Sequence, residues 1–521
     1  MSAREIFDSA MQRLQASSGW MYLLERDDWF SRTHGSAKGA VARGYLRSLM
    51  AVEAHEAFVN GISHGELDEL ERRIDEFGPD ETAYIRRLVF SYRRATRLPR
   101  ELVQRRAAVT TEAQAAWQAA RAASDFSMFA PHLKGVIELV QAEALAYGGV
   151  AGDPYSLYDA LLQSYEPEFT TTRLINVLER ATSWLPDFLR TVRPDDRDDL
   201  RAAMGPWPVW AQQALCRKLL ESFGFDFAAG GFDTTVHPFC STVGPDDVQL
   251  TTRFAPTAVL KALSATAHEC GHGLFDQAKP ELLAWGMPSG FIYSLGIHET
   301  QSRLWQNHVF GSRAFWEYFS AEVRDHDPQH HDIAPEYFYR AVNMVRPSLI
   351  RVDADELTYN LHILIRVRLE IRLLSGQLSV KDLPQAWNDS YEELLGIRPA
   401  NDAEGVLQDV HWSSGSLGYF GTYTLGNLGA AQQFAAFTQV EPQWQKQFRR
   451  GVFGHLKEFL GQRVYPFGHT AMLDDLIIEA TGRPLAPQCW IDHIRGKFGL
   501  PETVEPDTEV VRTGSGTTAE G

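Results

Sequence analysis

Residues 230–254, GGFDTTVHPFCSTVGPDDVQLTTRF, differ in character from the chain on either side and decide the fold class. Thr, Val and Phe alternate around VGPDD, which predicts two short strands joined by a turn. Elsewhere apolar residues recur every three or four positions, as in AYIRRLVFSYRRATR (83–97) and DELTYNLHILIRVRLEIRLL (355–374), and this spacing predicts helices. We therefore expect a mainly α-helical protein with one small β-sheet.

Gly, Pro and Asp mark helix boundaries at GPDET (78–82) and GDPYS (152–156). Neither an internal repeat nor a Gly- or Ser-rich linker divides the sequence, so we expect one structural domain. Within it we distinguish an N-terminal helical region, 1–229, and a catalytic region, 230–503. The small polar tail, 504–521, is expected to be disordered.

The charge of the chain argues against a nucleic-acid partner. Its 521 residues carry a formal net charge of −17 at pH 7, and a surface of that sign repels polyphosphate. Hydrophobic residues make up 44% of the sequence, which is enough for a large buried core.

Other features favour a cytoplasmic protein. The four cysteines are far apart and form no CxxC pair, which favours a reducing compartment. The N-terminus, MSAREIFDSAMQRLQ, is charged and amphipathic, unlike a signal peptide. The longest stretch without charged residues, 411–440, contains too many Gly, Ser, Thr, Asn and Gln for a membrane span. We therefore expect no membrane association.

TAHECGHGLF (266–275) carries the candidate chemistry. His268 and His272 are four residues apart, so on a helix both imidazoles lie on one face and can bind one metal ion. Glu269 lies beside that face, where it can take a proton from a water molecule acidified by zinc. The alternative is a helix with two ordinary histidines.

The surroundings of the histidine pair favour a metal site. Gly271 and Gly273 each cost a helix about 1 kcal/mol relative to Ala, which suggests that another backbone or a ligand comes close there. Asp276, one turn beyond the second histidine, could accept the second N–H of a liganding imidazole. Glu299, in GIHETQS, is a candidate third ligand, although a helix dipole also favours an exposed glutamate in a first turn.

Several motifs together resemble the carboxypeptidase Taq-type metallocarboxypeptidase family. In chain order they are YDALLQSYEP (158–167), VHPF (236–239), HECGH (268–272), GIHETQS (296–302), IRVDADELTYNLHI (350–363) and LQDVHWSSGSLGYFGTYTLGN (407–427). The resemblance implies a helical, saddle-shaped zinc peptidase with a deep central groove, one side of which is formed by residues 1–229. It also implies a homodimer.

The resemblance implies that the metal ligands are His268, His272 and Glu299. It implies one zinc ion per chain, with cobalt as an alternative, and Glu269 as the general acid/base. Arg351 would bind the free C-terminal carboxylate of the substrate, which suits a guanidinium because it can hold a carboxylate at two points. The alternative for Arg351 is a local ion pair with Asp355, one helical turn further on.

HWSSGSLGYFGTY (411–423) contains candidate groups for the transition state. The resemblance implies that His411, with either Tyr423 or Tyr419, donates hydrogen bonds to the developing oxyanion, a role suited to N–H and O–H groups. The alternative is a Gly-rich segment whose aromatic side chains pack in the core. His237, in VHPF, is either a substrate contact or a structural histidine beside a proline turn.

Two positions depart from the family pattern. The family's strand motif Asp-x-Arg-x-Thr reads DVQLT here, so the neutral Gln249 replaces a cation expected to bind the substrate terminus. In a continued strand Arg253 shares a face with Gln249 and can supply charge nearby. Gly421 stands where the family usually has proline. Because glycine is more flexible than proline, we expect the substitution to loosen a loop. Cys270 is expected to pack between helices, because it points away from the histidine face.

We therefore predict a zinc-dependent metallocarboxypeptidase that releases single residues from peptides with free C-termini. The substitution at Gln249 keeps open a dipeptidyl-carboxypeptidase or an oligopeptidase with relaxed terminal recognition. A catalytically silent peptide-binding protein is a further alternative, against which the intact Glu269 argues.

Overall fold

Helices joined by short turns form most of the structure. The computed structural model describes residues 1–191, 206–279, 294–326 and 332–499. The helices before the sheet include α1 Ala3–Thr33, α2 Ala40–Gly61, α3 His64–Arg72, α4 Pro79–Ala95, α5 Arg100–Ala123, α6 Ala130–Ala146, α7 Pro154–Leu162, α8 Thr171–Thr182, α9 Leu185–Thr191 and α10 Val209–Phe223. After the sheet they include α11 Val259–Gln277, α12 Leu295–Arg303, α13 Arg313–His326, α14 Pro335–Val342, α15 Tyr359–Leu374, α16 Leu383–Leu395, α17 Gly421–Val440, α18 Trp444–Phe448, α19 Gly454–Arg463, α20 Tyr465–Gly468, α21 Leu473–Thr481 and α22 Gln488–Phe498. A π-helical segment, Leu304–Phe310, continues directly from α12.

The predicted helix boundaries coincide with observed helix starts. α4 begins with Pro79 directly after Gly78. At the start of α7 the carboxylate of Asp153 accepts hydrogen bonds from the backbone N–H groups of Tyr155 and Ser156. Such contacts satisfy donors that the first turn of a helix leaves unpaired.

A three-stranded sheet interrupts the helices where the sequence changes character. Its strands are β1 Gly230–Thr234, β2 Cys240–Gly244 and β3 Asp247–Thr252. β3 is central, antiparallel to β2 across the predicted turn and parallel to β1. Sequence analysis missed β1, because Gly230 and Gly231 give its start little strand character.

The sheet lies between α1 and α11. Neighbouring residues of β2 point to opposite faces: Ser241 donates a hydrogen bond to the Glu25 carboxylate of α1 at 2.9 Å, and Thr242 donates to the Asp276 carboxylate of α11 at 2.9 Å. The sheet therefore positions the helix that carries the HECGH motif.

The hydrophobic core has two parts. A smaller cluster joins α1 to α4 and includes Leu14, Leu70 and Tyr84. A larger cluster extends from α5 to α22 and is continuous across residue 230, where Phe223 packs against Trp305 with 4.7 Å between ring centroids. The division of the chain at 229/230 stays a prediction.

The uncharged stretch 411–440 ends in α17, most of whose residues are buried in the protein. None of the helices in the described ranges is long and apolar enough to cross a membrane. The tail 504–521, predicted to be disordered, lies outside the described residues.

Glycines let α12 lie very close to its neighbours. A Cβ on Gly271 of α11 would lie 2.5 Å from the carbonyl oxygen of Gln301 and 2.6 Å from the Cα of Ser302 in α12. On the other side, a Cβ on Gly426 of α17 would lie 2.7 Å from the Cβ of Glu299. The predicted close approach of a backbone at Gly271 is therefore confirmed, and α12 is held between α11 and α17.

Gly271→Ala is expected to lower the free energy of unfolding by about 1–3 kcal/mol, because the added methyl group meets backbone atoms that cannot easily move. The matched control is Gly135→Ala in α6, where nothing lies within 4 Å of the new Cβ. It should raise the free energy of unfolding by up to about 1 kcal/mol. Urea unfolding measures both changes, and equal effects would contradict the close packing at Gly271.

Candidate active site

Three side chains from two helices converge on one point. His268 and His272 project from α11 and Glu299 from α12, and one ligand atom of each lies within 4.8 Å of the other two. The Oε2 of Glu299 is 3.8 Å from the Nε2 of His268 and 3.6 Å from the Nε2 of His272. A tetrahedral zinc ion places its ligand atoms about 3.3 Å apart, so small side-chain movements suffice to enclose one.

Both imidazoles are in the state that binds metal. Burial lowers the pKa of His268 to about 4 and lowers the pKa of His272 well below its ordinary value, so both rings are neutral at pH 7. The Nδ1 of His268 lies 2.9 Å from the Oε1 of Gln306. An N–H at that position leaves Nε2 free to face Glu299.

The amide of Gln306 is fixed by two further contacts. Its Nε2 donates to the Ser264 hydroxyl at 3.0 Å, and its Oε1 also accepts from Arg303 at 3.3 Å. Gln306 belongs to the π-helical segment that follows α12, a backbone form frequent at functional sites. The oxygen of this amide is therefore directed toward His268.

Arg303 orients the carboxylate of Glu299. Its Nε donates to the Oε1 of Glu299 at 2.6 Å, which leaves Oε2 to face the two histidines. The guanidinium carbon lies 4.3 Å from the ring centroid of Tyr359. Both partners of the ion pair are largely buried, so neither carboxylate oxygen turns freely to solvent.

Glu269 is adjacent to His268 and only 5% exposed. Burial raises the pKa of Glu269 well above its ordinary value, and the nearby Glu299 raises it further. A carboxyl group with a raised pKa holds a proton more firmly than an ordinary glutamate does, as a group that stores a proton between two transfers requires.

Asp276 does not contact the imidazole that sequence analysis predicted. Its carboxylate accepts a hydrogen bond from Thr242 and lies 3.4 Å from the Nε2 of His298. The Nδ1 of His272 has no hydrogen-bond partner among the described residues. The rings of His272 and His298 stack with 4.1 Å between centroids. Asp276 therefore lies next to His298, which separates it from His272.

Arg351 pairs with Asp409. Its Nε and one terminal nitrogen donate to the same Asp409 oxygen at 3.0 and 2.9 Å, and Arg366 donates to the other oxygen at 2.7 Å. The alternative partner, Asp355, instead accepts from backbone N–H groups at the start of α15. The predicted helical ion pair is wrong because Arg351 lies in a short 3-10 turn.

Tyr359 connects Arg351 to Arg303, the partner of Glu299. Its hydroxyl accepts a hydrogen bond from Arg351 at 3.0 Å, and Arg303 lies over its ring. Contacts therefore run without a break from Glu299 through Arg303 and Tyr359 to Arg351.

The structure brings together the three residues predicted to face the oxyanion. The ring of His411 stacks on Tyr419 with 5.4 Å between centroids, and Tyr419 meets Tyr423 edge-on at 5.2 Å. The guanidinium carbon of Arg351 lies 5.0 Å from the ring centroid of Tyr423.

Tyr423 lies within α17, whereas Tyr419 precedes the helix. Tyr423 lies three residues before Gly426, on the helix face that packs against Glu299. The expectation that Gly421 loosens a loop is wrong, because α17 begins at Gly421. Proline is also well accommodated at a first helical position.

The remaining predicted substrate contacts lie on or near the sheet. Gln249 is in β3 and donates to Asp247 at 2.5 Å, while Arg253 is exposed and lies beyond the end of the strand, so strand alternation does not apply to it. His237 is exposed between β1 and β2. Within the described ranges no hydrogen bond or ion pair joins these three residues to His268, His272 or Glu299. Their roles stay predictions.

Sequence analysis did not single out several residues that complete the site, namely His298, Arg303, Gln306, Tyr359 and Asp409. Arg303 follows Glu299 by four residues, a spacing that could have indicated the ion pair. No sequence spacing indicates the contact of Gln306 with His268, because the direction of the Gln306 side chain depends on the π-helical backbone.

The family model described as carboxypeptidase Taq (M32) metallopeptidase matches residues 8–498. The chain belongs to this family. The resemblance drawn from the motifs is confirmed.

Relatives are similar over almost their whole length. Thermostable carboxypeptidase 1 of Thermus thermophilus is 36% identical over 482 residues, 90% of this chain and 94% of that protein. Carboxypeptidase 1 of Bacillus subtilis is 33% identical over 497 residues, 95% of this chain and 97% of that protein. Among solved structures, Trypanosoma cruzi metallocarboxypeptidase 1 has a TM-score of 0.87 at 30% identity and covers 95% of this chain and 99% of its own.

The M32 carboxypeptidase of Deinococcus radiodurans R1 has a TM-score of 0.86 at 33% identity, covering 96% of this chain and 99% of its own. The predicted mainly helical fold with one small sheet is confirmed. The protein is a metallocarboxypeptidase and hydrolyses peptides. Neither the oligopeptidase nor the catalytically silent alternative is favoured.

Gln306→Ala is expected to lower affinity for zinc by about 10–100-fold, because His268 loses the acceptor that orients its ring. Competition with a chelating dye measures the affinity. The matched control is Gln462→Ala, which removes an exposed amide bonded to Glu458 and should leave zinc affinity unchanged. Equal zinc affinity in the two variants would contradict the orienting role of Gln306.

Proposed function

We propose that the metal of this metallocarboxypeptidase is a zinc ion held by His268, His272 and Glu299. The observation that carries the proposal is the convergence of two neutral, largely buried imidazoles from α11 with one buried carboxylate from α12. Catalytic zinc sites use three such protein ligands and keep a further position open. Cobalt accepts the same nitrogen and oxygen donors and is the alternative ion.

Glu269 is proposed as the general acid/base. When bound, the metal supplies Lewis acidity, which polarises the peptide carbonyl and lowers the pKa of a water molecule to about 7. Glu269 takes the proton of that water and delivers it to the leaving nitrogen. Its burial and raised pKa support the role, since the proton must stay on the carboxyl group between the two transfers.

Tyr423 and His411 are proposed to stabilise the negative charge that develops on the carbonyl oxygen, with Tyr419 supporting both rings. The phenol O–H and imidazole N–H are suitable donors for an oxyanion. Tyr423 is preferred over Tyr419 because it lies in α17, three residues before Gly426, whose backbone packs against Glu299. The stacking of His411 on Tyr419 holds the imidazole in place.

Arg351 is proposed to bind the terminal carboxylate of a peptide substrate. Asp409 and Tyr359 use three of its five N–H groups, so two remain for a ligand. Arg253, His237 and Gln249 are proposed as further substrate contacts from the sheet. Gln249 would make a neutral contact, weaker than the charged one that its position has in the family pattern.

We also propose that the enzyme is a cytoplasmic homodimer. All four cysteines are free thiols, which supports a reducing compartment. The homodimer rests on the family resemblance alone, and light scattering of the purified protein tests it.

Glu269→Gln is expected to reduce kcat by several orders of magnitude while its zinc content stays equal to that of the wild type, because the amide cannot accept a proton. Metal analysis and steady-state peptide hydrolysis measure the two effects. The exposed Glu458→Gln serves as the control and should keep full activity. Normal turnover by Glu269→Gln would remove the proposed base.

Arg351→Lys is expected to raise KM about 10–100-fold for peptides with a free C-terminal carboxylate, and to change KM little for peptides amidated at the C-terminus. Hydrolysis of matched free-acid and amidated peptides by the variant, followed by mass spectrometry, tests this.

The control for Arg351→Lys is Arg366→Lys. Arg366 binds the same Asp409 carboxylate but is fully buried, so its loss should affect both kinds of peptide alike. If Arg351→Lys also affects both alike, then Arg351 only supports the fold of the site.

A further inference from the structure

A second cluster of two imidazoles and one carboxylate lies outside the active site. His308 of the π-helical segment, Glu356 before α15 and His493 of α22 each offer a ligand atom within 4.8 Å of the other two. The Oε1 of Glu356 is 3.0 Å from the Nε2 of His493, and the two imidazole centroids are 4.2 Å apart. The 3.0 Å between the Glu356 oxygen and the His493 nitrogen is close to the separation of about 3.3 Å between ligand atoms of a tetrahedral metal ion.

The carboxylate of this cluster is arranged like that of the catalytic site. Glu299 directs Oε2 to its histidines, while Oε1 accepts from Arg303. Glu356 directs Oε1 to His493, while Oε2 accepts from Lys497 at 2.6 Å. The ammonium group of Lys497 therefore binds Oε2 and leaves Oε1 for a metal ion. Hydrogen bonds of this kind orient metal-binding carboxylates.

His308 has an unused nitrogen deep in the protein. Its side chain is 3% exposed, and its Nδ1 has no hydrogen-bond partner among the described residues. Burial keeps the ring neutral by lowering the pKa of His308 well below its ordinary value. Phe434 stacks on the ring with 5.1 Å between centroids and fixes its plane. A buried polar atom without a partner is costly, and a ligand in the cluster could remove that cost.

A small polar cavity of about 90 Å³ reaches one member of the cluster, Glu356. Its lining includes Asn307, Asn343, Glu356 and Lys497. A cavity of this size holds several water molecules, which leaves space for a hydrated ion beside Glu356.

We propose that His308, Glu356 and His493 form a second binding site for a divalent transition metal, Zn²⁺ or Co²⁺. Imidazole nitrogen and carboxylate oxygen are suitable donors for both ions. The three ligands come from parts of the chain that are far apart in sequence, so a bound ion joins α22 to the π-helical segment and to the start of α15. Because the ion binds the folded protein, its occupancy raises the melting temperature.

The experiment titrates metal-free enzyme with Co²⁺ and follows bound metal by visible absorption, metal analysis and calorimetry. Wild-type enzyme is expected to bind two equivalents, and His493→Ala and Glu356→Gln one each. The control His455→Ala removes an exposed histidine paired with Glu441 at 3.2 Å, and should still bind two. One equivalent in the wild type, or two in both cluster variants, would overturn the proposal.

A further variant separates this site from the catalytic one. His272→Ala should lose the catalytic equivalent and keep the second, and Co²⁺ should still raise its melting temperature. Adding His493→Ala to that variant should abolish both the remaining equivalent and the thermal shift. A wild type that binds one equivalent, lost in His272→Ala, would disprove the second site and leave the proposed catalytic site intact.

Discussion

The close packing of α12 between α11 and α17 is the constraint on which the active site depends. Two histidines on one helical turn define a direction but cannot enclose an ion by themselves. The proposed third ligand, Glu299, comes from another helix. The backbone of that helix lies so close to α11 that an added methyl group would not fit between them. Gly271 on one side and Gly426 on the other allow this close approach. The cost of glycine in a helix is therefore offset by the position it allows Glu299 to take.

The same helix also positions the groups around the ligands. Arg303 lies one turn beyond Glu299 and fixes its carboxylate, and the π-helical segment that follows turns Gln306 toward His268. From Arg303 the contacts continue through the ring of Tyr359 to Arg351. The proposed metal site and the proposed carboxylate site are thus parts of one connected polar network with little freedom to change their separation.

The sequence was sufficient to predict those parts of the site that lie on a single helix, where the helical repeat sets the directions of the side chains. His268, Glu269 and His272 share a helix, and their relative directions follow from its 3.6-residue turn. The spacing of residues in the sequence cannot predict contacts between distant segments of the chain. One example is Asp409, which pairs with Arg351 from a separate motif. The change to π-helix after Arg303 was equally hidden, because its residues continue an ordinary helical pattern.

The largely buried network contains three guanidinium groups, Arg303, Arg351 and Arg366, against two carboxylates, Glu299 and Asp409. It is therefore cationic inside a chain whose formal charge is −17. A peptide that approaches from solution first experiences the net negative charge of the chain, which salt screens over about 8 Å at physiological ionic strength. Acidic peptides accordingly associate slowly at low ionic strength and faster as salt is added, whatever the strength of their binding once inside.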